Sequence, residues 1–155
     1  MSDDIKFKID QSEYFLREME KNKAKLNEFC FNLSAFLCSA KSIIYFLEKE
    51  AITYKNKEIK KWWYCEEKCK IYMDDDLSII LKMRDKDVHK QIILENTRKD
   101  AIVYLPVAGS SDKTTADDTW FFKERQDKPL LELCENFLKK MREIFEKLKS
   151  FKDSE

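Results

Sequence analysis

The one histidine of the sequence, His89, follows Arg84 by five residues. An imidazole can accept or donate a proton near neutral pH. A guanidinium can bind a phosphate and stabilise the negative charge that develops on it in a transition state. The two groups together could cleave RNA without a metal ion, so Arg84 and His89 are the candidate catalytic residues.

The same pair has a structural interpretation, a polar cluster between helices or at a subunit interface in which a carboxylate pairs with Arg84. On the predicted helix, Arg84 interrupts an apolar stripe that is made of Leu77, Leu81 and Val88. A charge on such a stripe costs free energy unless it is paired or needed. A step of five residues turns about 140° around a helix. Arg84 and His89 would therefore not lie side by side unless the helix ended between them or the cleft wrapped around the helix. A cleft between two subunits would ease this constraint.

Length and composition indicate one helical domain. With 155 residues, 43% of them hydrophobic and 13% aromatic, the chain can bury a sizeable core and is too apolar for disorder. One glycine and two prolines against 39% charged residues favour long helices. We therefore expect residues 1–155 to form a single all-α domain.

The balance of charge limits the function. There are 30 basic and 30 acidic residues, whereas a protein that coats nucleic acid usually has a basic excess. Any contact with RNA should therefore be local. No apolar run approaches the roughly 20 residues of a membrane span, and the acidic N-terminus lacks the apolar core of a signal peptide. The sequence predicts a cytoplasmic protein without a membrane partner.

The five cysteines are odd in number and lack the spacing of a disulfide framework, so they are expected to be reduced thiols. Cys65 and Cys69 are one helical turn apart and could contribute to a metal site. A structural zinc ion would need two more ligands, and the chain has only one histidine. Buried thiols that pack as small apolar groups are the favoured interpretation, and we predict neither a metal nor a cofactor.

Apolar periodicity predicts a bundle of four to five helices. A capping box at Asp10 and Glu13 opens the first helix, which continues to about Asn22. The strongest helical pattern covers 29–47, and a third helix covers 58–73. The acidic residues 74–76 open a fourth helix by capping, and Pro129 opens the last.

The second predicted helix has two apolar faces. Beside its main stripe, a second set of side chains is formed by Phe31, Ala35, Cys38 and Tyr45. Small residues nearby permit the close approach of another helix. Such a helix must be buried on two sides, either at the centre of the bundle or against a second subunit.

Trp62 and Trp63 are adjacent in the third predicted helix. Because adjacent side chains cannot share one face of a helix, one of them should point outward or into a dimer contact. Packing in the core is the favoured role for these aromatic residues, and stacking on RNA bases is the alternative.

After Asn96 the apolar pattern changes from that of a helix to that of strands. Residues 101–105 and 119–122 read as two short strands, joined by a polar loop over 106–118 that holds the one glycine. They predict a small antiparallel β-hairpin at about 98–124, inserted before the last helix. A lone hairpin is only marginally stable, so it should lie on the helices.

Segment 84–89 and its helical context resemble the HEPN (higher eukaryotes and prokaryotes nucleotide-binding) superfamily. The ribonuclease motif of that superfamily is an arginine, usually followed by a polar residue, with a histidine about four to six residues further on. Arg84, Asp85 and His89 match it. Residues 31–42 are also similar to the long second helix of uncharacterised prokaryotic members. The resemblance covers roughly 10–91 and a closing helix, and it implies a HEPN-like all-α bundle.

The resemblance implies a metal-independent endoribonuclease that acts as a homodimer, with the two motifs facing each other across a cleft. His89 would act as general base or acid, and Arg84 would bind the scissile phosphate. Asp85 would orient one of them by hydrogen bonding. Dimerisation also has a chemical reason, because cleavage by the 2′-hydroxyl needs both a base and an acid and each chain has one histidine.

Two other classes of function stay open. Asparagine is common in the family at the position of Asp85, so Asp85 and Asp87 add negative charge beside the phosphate site. With the zero net charge, they favour a catalytically silent module that binds RNA, nucleotide or protein, such as the helical partner of a nucleotidyltransferase. An active enzyme would resemble toxins or defence effectors, with an antitoxin as partner. A plain structural dimer would have no effect on RNA.

Overall fold

A computed structural model describes residues 2–89, 92–96, 102–105 and 119–152, with side chains at 3–86 and 119–151. The predicted loop at 106–118 lies outside the described residues. The helices are α1 (Ser2–Lys21), α2 (Leu26–Thr53), α3 (Lys57–Lys61), α4 (Lys68–Met73), α5 (Asp75–His89) and α6 (Leu130–Lys152), with a π-helical turn at Trp62–Glu67. The strands are β1 (Ile92–Asn96), β2 (Ile102–Leu105) and β3 (Trp120–Phe122). The predicted helical bundle is confirmed.

The central helix is α2, which packs against α1, α5 and α6. Its inner face is buried because apolar residues recur there at three- and four-residue spacing, as predicted. The fully buried members of that face include Phe29, Leu33, Phe36, Leu37, Ala40, Ile43 and Leu47. The second apolar face behaves differently, because Phe31 and Tyr45 are 66% and 60% exposed. Burial of that face inside the bundle is therefore wrong.

By length and composition, α2 would also pass as a membrane-spanning helix. It has 28 residues, and its most apolar stretch has a mean hydropathy of 1.5. The expectation that no segment approaches such a composition is therefore wrong. Half of that stretch is buried within the fold, as it is in the core helix of a helical bundle.

Helix α1 begins at Ser2, and the predicted start at a capping box around Asp10 is wrong. Asp10 lies inside the helix, where its carboxylate is 2.5 Å from the Lys6 ammonium. The helix extends further back because Ile5 and Ile9 continue its apolar stripe and are buried.

The predicted third helix is confirmed as a helical segment over 57–73, but it widens into the π turn at its centre. Trp62 and Trp63 are both buried, at 5% and 0% exposure, so the expectation that one points outward is wrong. The side of the segment that would face solvent is covered by α6. There the ring of Phe151 in α6 packs edge-on against the ring of Trp62, with the two ring centroids 5.2 Å apart.

The three strands form an antiparallel sheet in the order β2-β1-β3. The predicted hairpin, in which β2 would pair with β3, is wrong because β1 lies between them and pairs with both. The sequence pattern predicts strands only after Asn96, so β1 at 92–96 is a strand that it does not predict. The sheet is seated on the helices by β3, whose Trp120 ring stacks on Phe29 of α2 at 5.9 Å.

The last helix, α6, begins directly after Pro129, as predicted. The Pro129 carbonyl accepts a hydrogen bond from the Leu133 N–H at 3.1 Å, which closes the first helical turn. Its inward stripe is buried along its length and includes Leu130, Cys134, Phe137, Leu138, Met141, Ile144 and Leu148. This stripe packs against α1, α2 and α5 and so fixes the helix that carries the candidate site.

Candidate functional site

Helix α5 carries all three candidate residues, and its start is fixed by a side-chain cap. Asp74 Oδ1 accepts hydrogen bonds from the N–H groups of Asp76 and Leu77, each at 2.9 Å. The predicted capping role of the acidic triplet is therefore confirmed. Beyond the cap, Ile80 and Met83 are buried and hold α5 against its neighbours.

Arg84 lies where the buried part of α5 gives way to solvent, with its side chain 30% exposed. Its Nε atom is buried, and no described residue accepts a hydrogen bond from it. At the other end of the guanidinium, Nη1 is 3.4 Å from Oδ1 of Asp85, which is 55% exposed. A contact of that length to an exposed carboxylate is weak. Among the described side chains, the guanidinium therefore has no strong acidic partner.

The structural interpretation of Arg84 requires a carboxylate packed against it from another element. Among the described side chains, the one ion pair of Arg84 is with Asp85, its neighbour in sequence. Asp85 thus lies beside Arg84, where the resemblance puts a residue that orients the catalytic groups. The ion pair with Asp85 uses Nη1 and leaves the buried Nε of Arg84 without a described acceptor. A buried N–H donor without an acceptor destabilises the fold.

His89 is the last residue of α5, and its side chain is outside the described part of the chain. The helix runs without a break from Asp75 to His89, so it does not end between the two candidate catalytic residues. The positions of Arg84 and His89 are therefore about 140° apart around one helix axis. An end of the helix between the two residues is therefore excluded, which leaves a cleft that wraps around the helix or one that two subunits share.

The segment of α5 around Arg84 is tied to the chain that follows β3. The Lys86 ammonium forms an ion pair with Glu124. Nearer the start of α5, Asp76 Oδ1 accepts a hydrogen bond from Arg125 at 2.6 Å, and Lys128 pairs with the second oxygen of Asp76. These pairs join residues 38 to 52 positions apart in sequence. Sequence reasoning missed them because opposite charges so far apart carry no local signal.

Arg125 also donates from Nε to Asp127 at 2.6 Å. This hydrogen bond is the main reason that the pKa of Arg125 is raised and that of Asp127 is lowered. Both groups therefore stay charged across the physiological range. We call residues 124–128, which follow β3, the charged turn. Its ion pairs with Asp76 hold the end of the sheet against the first turn of α5.

A cavity of about 620 Å³ lies near the start of α5, at the opposite end of the helix from Arg84. It is lined by Lys70, Met73, Asp74, Asp76, Leu77, Asn136 and Lys140. Its lysines are held by Glu67, a buried carboxylate of the π turn that lies 3.5 Å from Lys70 and 3.2 Å from Lys140. Its lining contains two lysines and two aspartates, so its charge is close to balanced.

The thiols are arranged differently from what the sequence suggested. Cys30 and Cys134 are buried, whereas Cys65 and Cys69 are exposed, so the expectation that this pair is buried is wrong. Burial raises the pKa of Cys30 to about 12 and that of Cys134 well above its ordinary value. Within the described ranges, no three His, Cys, Asp or Glu side chains are grouped as a metal site would require.

Comparison of the chain with known protein families, with curated proteins and with solved structures gave no match. The chemistry and placement of the residues of α5 are therefore what indicates a function for this protein.

Proposed function

We propose that the protein is a metal-independent endoribonuclease of the HEPN type that acts as a homodimer in the cytoplasm. The observation that carries the proposal is the state of Arg84. Its guanidinium is partly buried and has a buried Nε without a described partner, and among the described side chains its one ion pair is with the exposed carboxylate of Asp85. A cation kept on an otherwise apolar helix face at a cost in free energy favours a functional role.

The reaction needs one base and one acid. The proton of the RNA 2′-hydroxyl passes to the imidazole of His89 in one copy, and the 2′-oxygen attacks the phosphorus. The bond from phosphorus to the 5′-oxygen breaks, and that oxygen takes a proton from the imidazolium of His89 in the second copy. The products are a 2′,3′-cyclic phosphate and a 5′-hydroxyl.

Arg84 binds the scissile phosphate and stabilises the charge that develops on its oxygens. A guanidinium suits this task because its planar donors match two phosphate oxygens. Asp85, at 3.4 Å from Arg84, orients the guanidinium in the free protein. It yields to the phosphate when RNA binds, because an exposed ion pair is worth little free energy.

A second function, a catalytically silent module that binds RNA, a nucleotide or a partner such as a nucleotidyltransferase, is favoured by one observation. The guanidinium of Arg84 already contacts the carboxylate of Asp85, which partly neutralises its positive charge. An asparagine at position 85, as is common in the family, would leave that charge free for a phosphate. In that case Arg84 contributes to binding alone. An antitoxin is the corresponding partner of an active, toxin-like enzyme.

The deciding experiment is cleavage of single-stranded and structured RNA by the purified protein in EDTA. We expect the wild type to cleave, and we expect His89→Ala and Arg84→Ala each to lose about two to three orders of magnitude in rate. Lys82→Ala is the matched control, because Lys82 is an exposed residue of the same helix and should leave the rate unchanged. Equal cleavage by the wild type and His89→Ala, or none by either, would refute the enzyme and leave the binding module.

A further inference from the structure

We propose that Cys65 and Cys69 form a two-coordinate binding site for copper(I), a soft monovalent cation, on the surface of the helical segment 57–73. The inference is independent of the proposed ribonuclease, because the site uses neither Arg84 nor His89. It assigns a role to a pair of thiols that lie outside the core.

Both thiols of the pair are exposed, whereas Cys30 and Cys134 are buried. Cysteine is among the residue types that proteins bury most often, and a buried thiol packs as a small apolar group. Cys65 and Cys69 do not pack in this way. For exposed thiols, the property that gives the side chain a role is its reactivity toward metal ions and oxidants.

The spacing of the pair suits one ion held between two sulfur atoms. Side chains four residues apart on a helix have Cβ atoms about 5–6 Å apart. A thiolate binds zinc at roughly 2.3 Å, and a similar bond on each side of one ion puts the two sulfur atoms about 4.6 Å apart. The two distances are compatible, because rotation about χ1 moves each sulfur atom relative to its Cβ atom.

The hydrogen bond of Cys69 places its thiol beside the turn that carries Cys65. Cys65 lies in the π turn, and Cys69 lies near the start of α4. The Cys69 thiol donates to the carbonyl oxygen of Tyr64, with Sγ 3.2 Å from that oxygen. Helical side chains lean toward the preceding turn in this way. The Cys69 sulfur therefore lies next to the residue that precedes its proposed partner.

The number and kind of ligands select the metal. Within the described ranges, no third His, Cys, Asp or Glu is grouped with the pair. A structural zinc ion takes four such ligands, so two thiols do not complete a zinc site. Copper(I) is a soft ion that favours thiolates, and two of them in a linear arrangement satisfy it. Each thiol releases its proton to solvent when the ion binds.

A bound ion would link the π turn to the start of α4. The two thiols are held one turn apart by the folded helix, whereas unfolding separates them. Binding to the folded chain alone stabilises it. Copper(I) should therefore raise the melting temperature, which is a measurement independent of the binding titration.

The test titrates the reduced full-length protein with tetrakis(acetonitrile)copper(I) under argon, in competition with the chromogenic chelator bicinchoninate. We expect one ion per chain. Cys65→Ser and Cys69→Ser should each lower the affinity by at least about a hundredfold, the low end of the gain from linking two binding groups. Cys38→Ser is the matched control, because Cys38 is exposed on another helix, and it should bind copper(I) as the wild type does.

The serine variants should keep the fold. Both positions are exposed, and a serine hydroxyl at position 69 can donate to the Tyr64 carbonyl as the thiol does. Melting curves without copper would check this. With one equivalent of copper(I), the melting temperature should rise for the wild type and Cys38→Ser but not for Cys65→Ser.

Iodoacetamide labelling identifies the thiols that hold the ion. In the copper-loaded protein, Cys65 and Cys69 should be protected, while Cys38 of the same molecule should react as it does without copper. Phenylarsine oxide tests whether both sulfur atoms reach one atom. Its arsenic forms two As–S bonds, and its oxygen leaves as water with the two thiol protons. We expect one arsenic per chain, joined to the peptides of both cysteines.

The proposal would be overturned by a wild-type affinity no higher than that of Cys65→Ser, or by failure of phenylarsine oxide to join the pair. Half an ion per chain, with two chains joined by copper, would also overturn it, as would zinc binding as tight as that of copper(I). RNA cleavage can be measured on the same variants, because all of them keep Arg84 and His89. Its presence or absence would bear on the ribonuclease and leave the copper(I) result unchanged.

Discussion

The Glu67 carboxylate lies 3.2 Å from the Lys140 ammonium and joins the π turn to α6. Glu67 is 6% exposed, whereas Lys140 is 30% exposed. Lys70 and Lys147 lie within 4 Å of the same carboxylate, at 3.5 and 3.9 Å. Burial by itself raises the pKa of Glu67, but the hydrogen bond from Lys140 and the three positive charges outweigh it, so the pKa is lowered.

Glu67→Gln should lower the free energy of unfolding by about 1–2 kcal/mol at pH 7, a value reduced because the lysines are partly solvated. Urea unfolding would measure it, with Glu66→Gln as the control because Glu66 is exposed. The folded-state pKa of Glu67 lies below its ordinary value of 4.5. The stabilisation is therefore complete above pH 4.5 and lost as the pH falls through the folded-state pKa. A difference between wild type and variant that grows on acidification would contradict this account.

Asp76→Asn should loosen the charged turn after β3. The substitution removes the carboxylate that accepts from Arg125 and pairs with Lys128. We expect a lower melting temperature and faster amide exchange at Arg125, whose N–H donates to the Phe122 carbonyl. Asp75→Asn is the control, since Asp75 is the exposed neighbour. Exchange at Arg125 that is unchanged in Asp76→Asn would show that the turn is held by other contacts.

The thiols should divide into reactive and protected groups. Iodoacetamide should label Cys65 at the rate of a free thiol in the native protein, because it is exposed. Cys30 and Cys134 should react only on unfolding, because burial raises the pKa of both thiols and blocks access. Peptide mass spectrometry would follow each site, and native labelling of Cys134 as fast as Cys65 would contradict the buried position.

A mixture of wild-type and His89→Ala subunits should test whether one active site needs both copies. If each cleft uses two histidines, replacing half of the subunits should leave about a quarter of the activity after exchange. Independent sites in single chains would leave about half. Mixing with Lys82→Ala, the exposed control on the same helix, should leave the activity unchanged. A linear loss with His89→Ala would place the complete site within one chain.

The parts of the fold that follow from a local pattern could be predicted from the sequence. The period of α2, the Asp74 cap of α5 and the start of α6 after Pro129 are of this kind. The start of α1 at Ser2 does not follow from the local pattern, because Asp10 and Glu13 have the spacing of a capping box although they lie inside the helix. Strand β1 was missed because a short apolar run beside a helix reads equally well as helix or strand.

The candidate site was predictable in kind but not in geometry. Residue types and spacing single out Arg84, Asp85 and His89, and the structure places Arg84 and Asp85 in contact. Nothing local predicts that Asp76 meets Arg125, or that three lysines surround Glu67. Such contacts depend on the packing of distant segments, and the sequence around each residue is compatible with many other partners.

The π turn at Trp62–Glu67 changes the direction in which the side chains after it point around the axis of the helical segment 57–73. A π turn accommodates more residues than an α turn, so the residues after it are rotated relative to those before it. Removing a single residue there would restore an ordinary α-helix and turn the next residues by about 100°. Ile71 would then leave the core, and the chain would enter α5 from another direction. The extra width of this one turn therefore helps to set the direction in which the chain enters α5, the helix that carries Arg84.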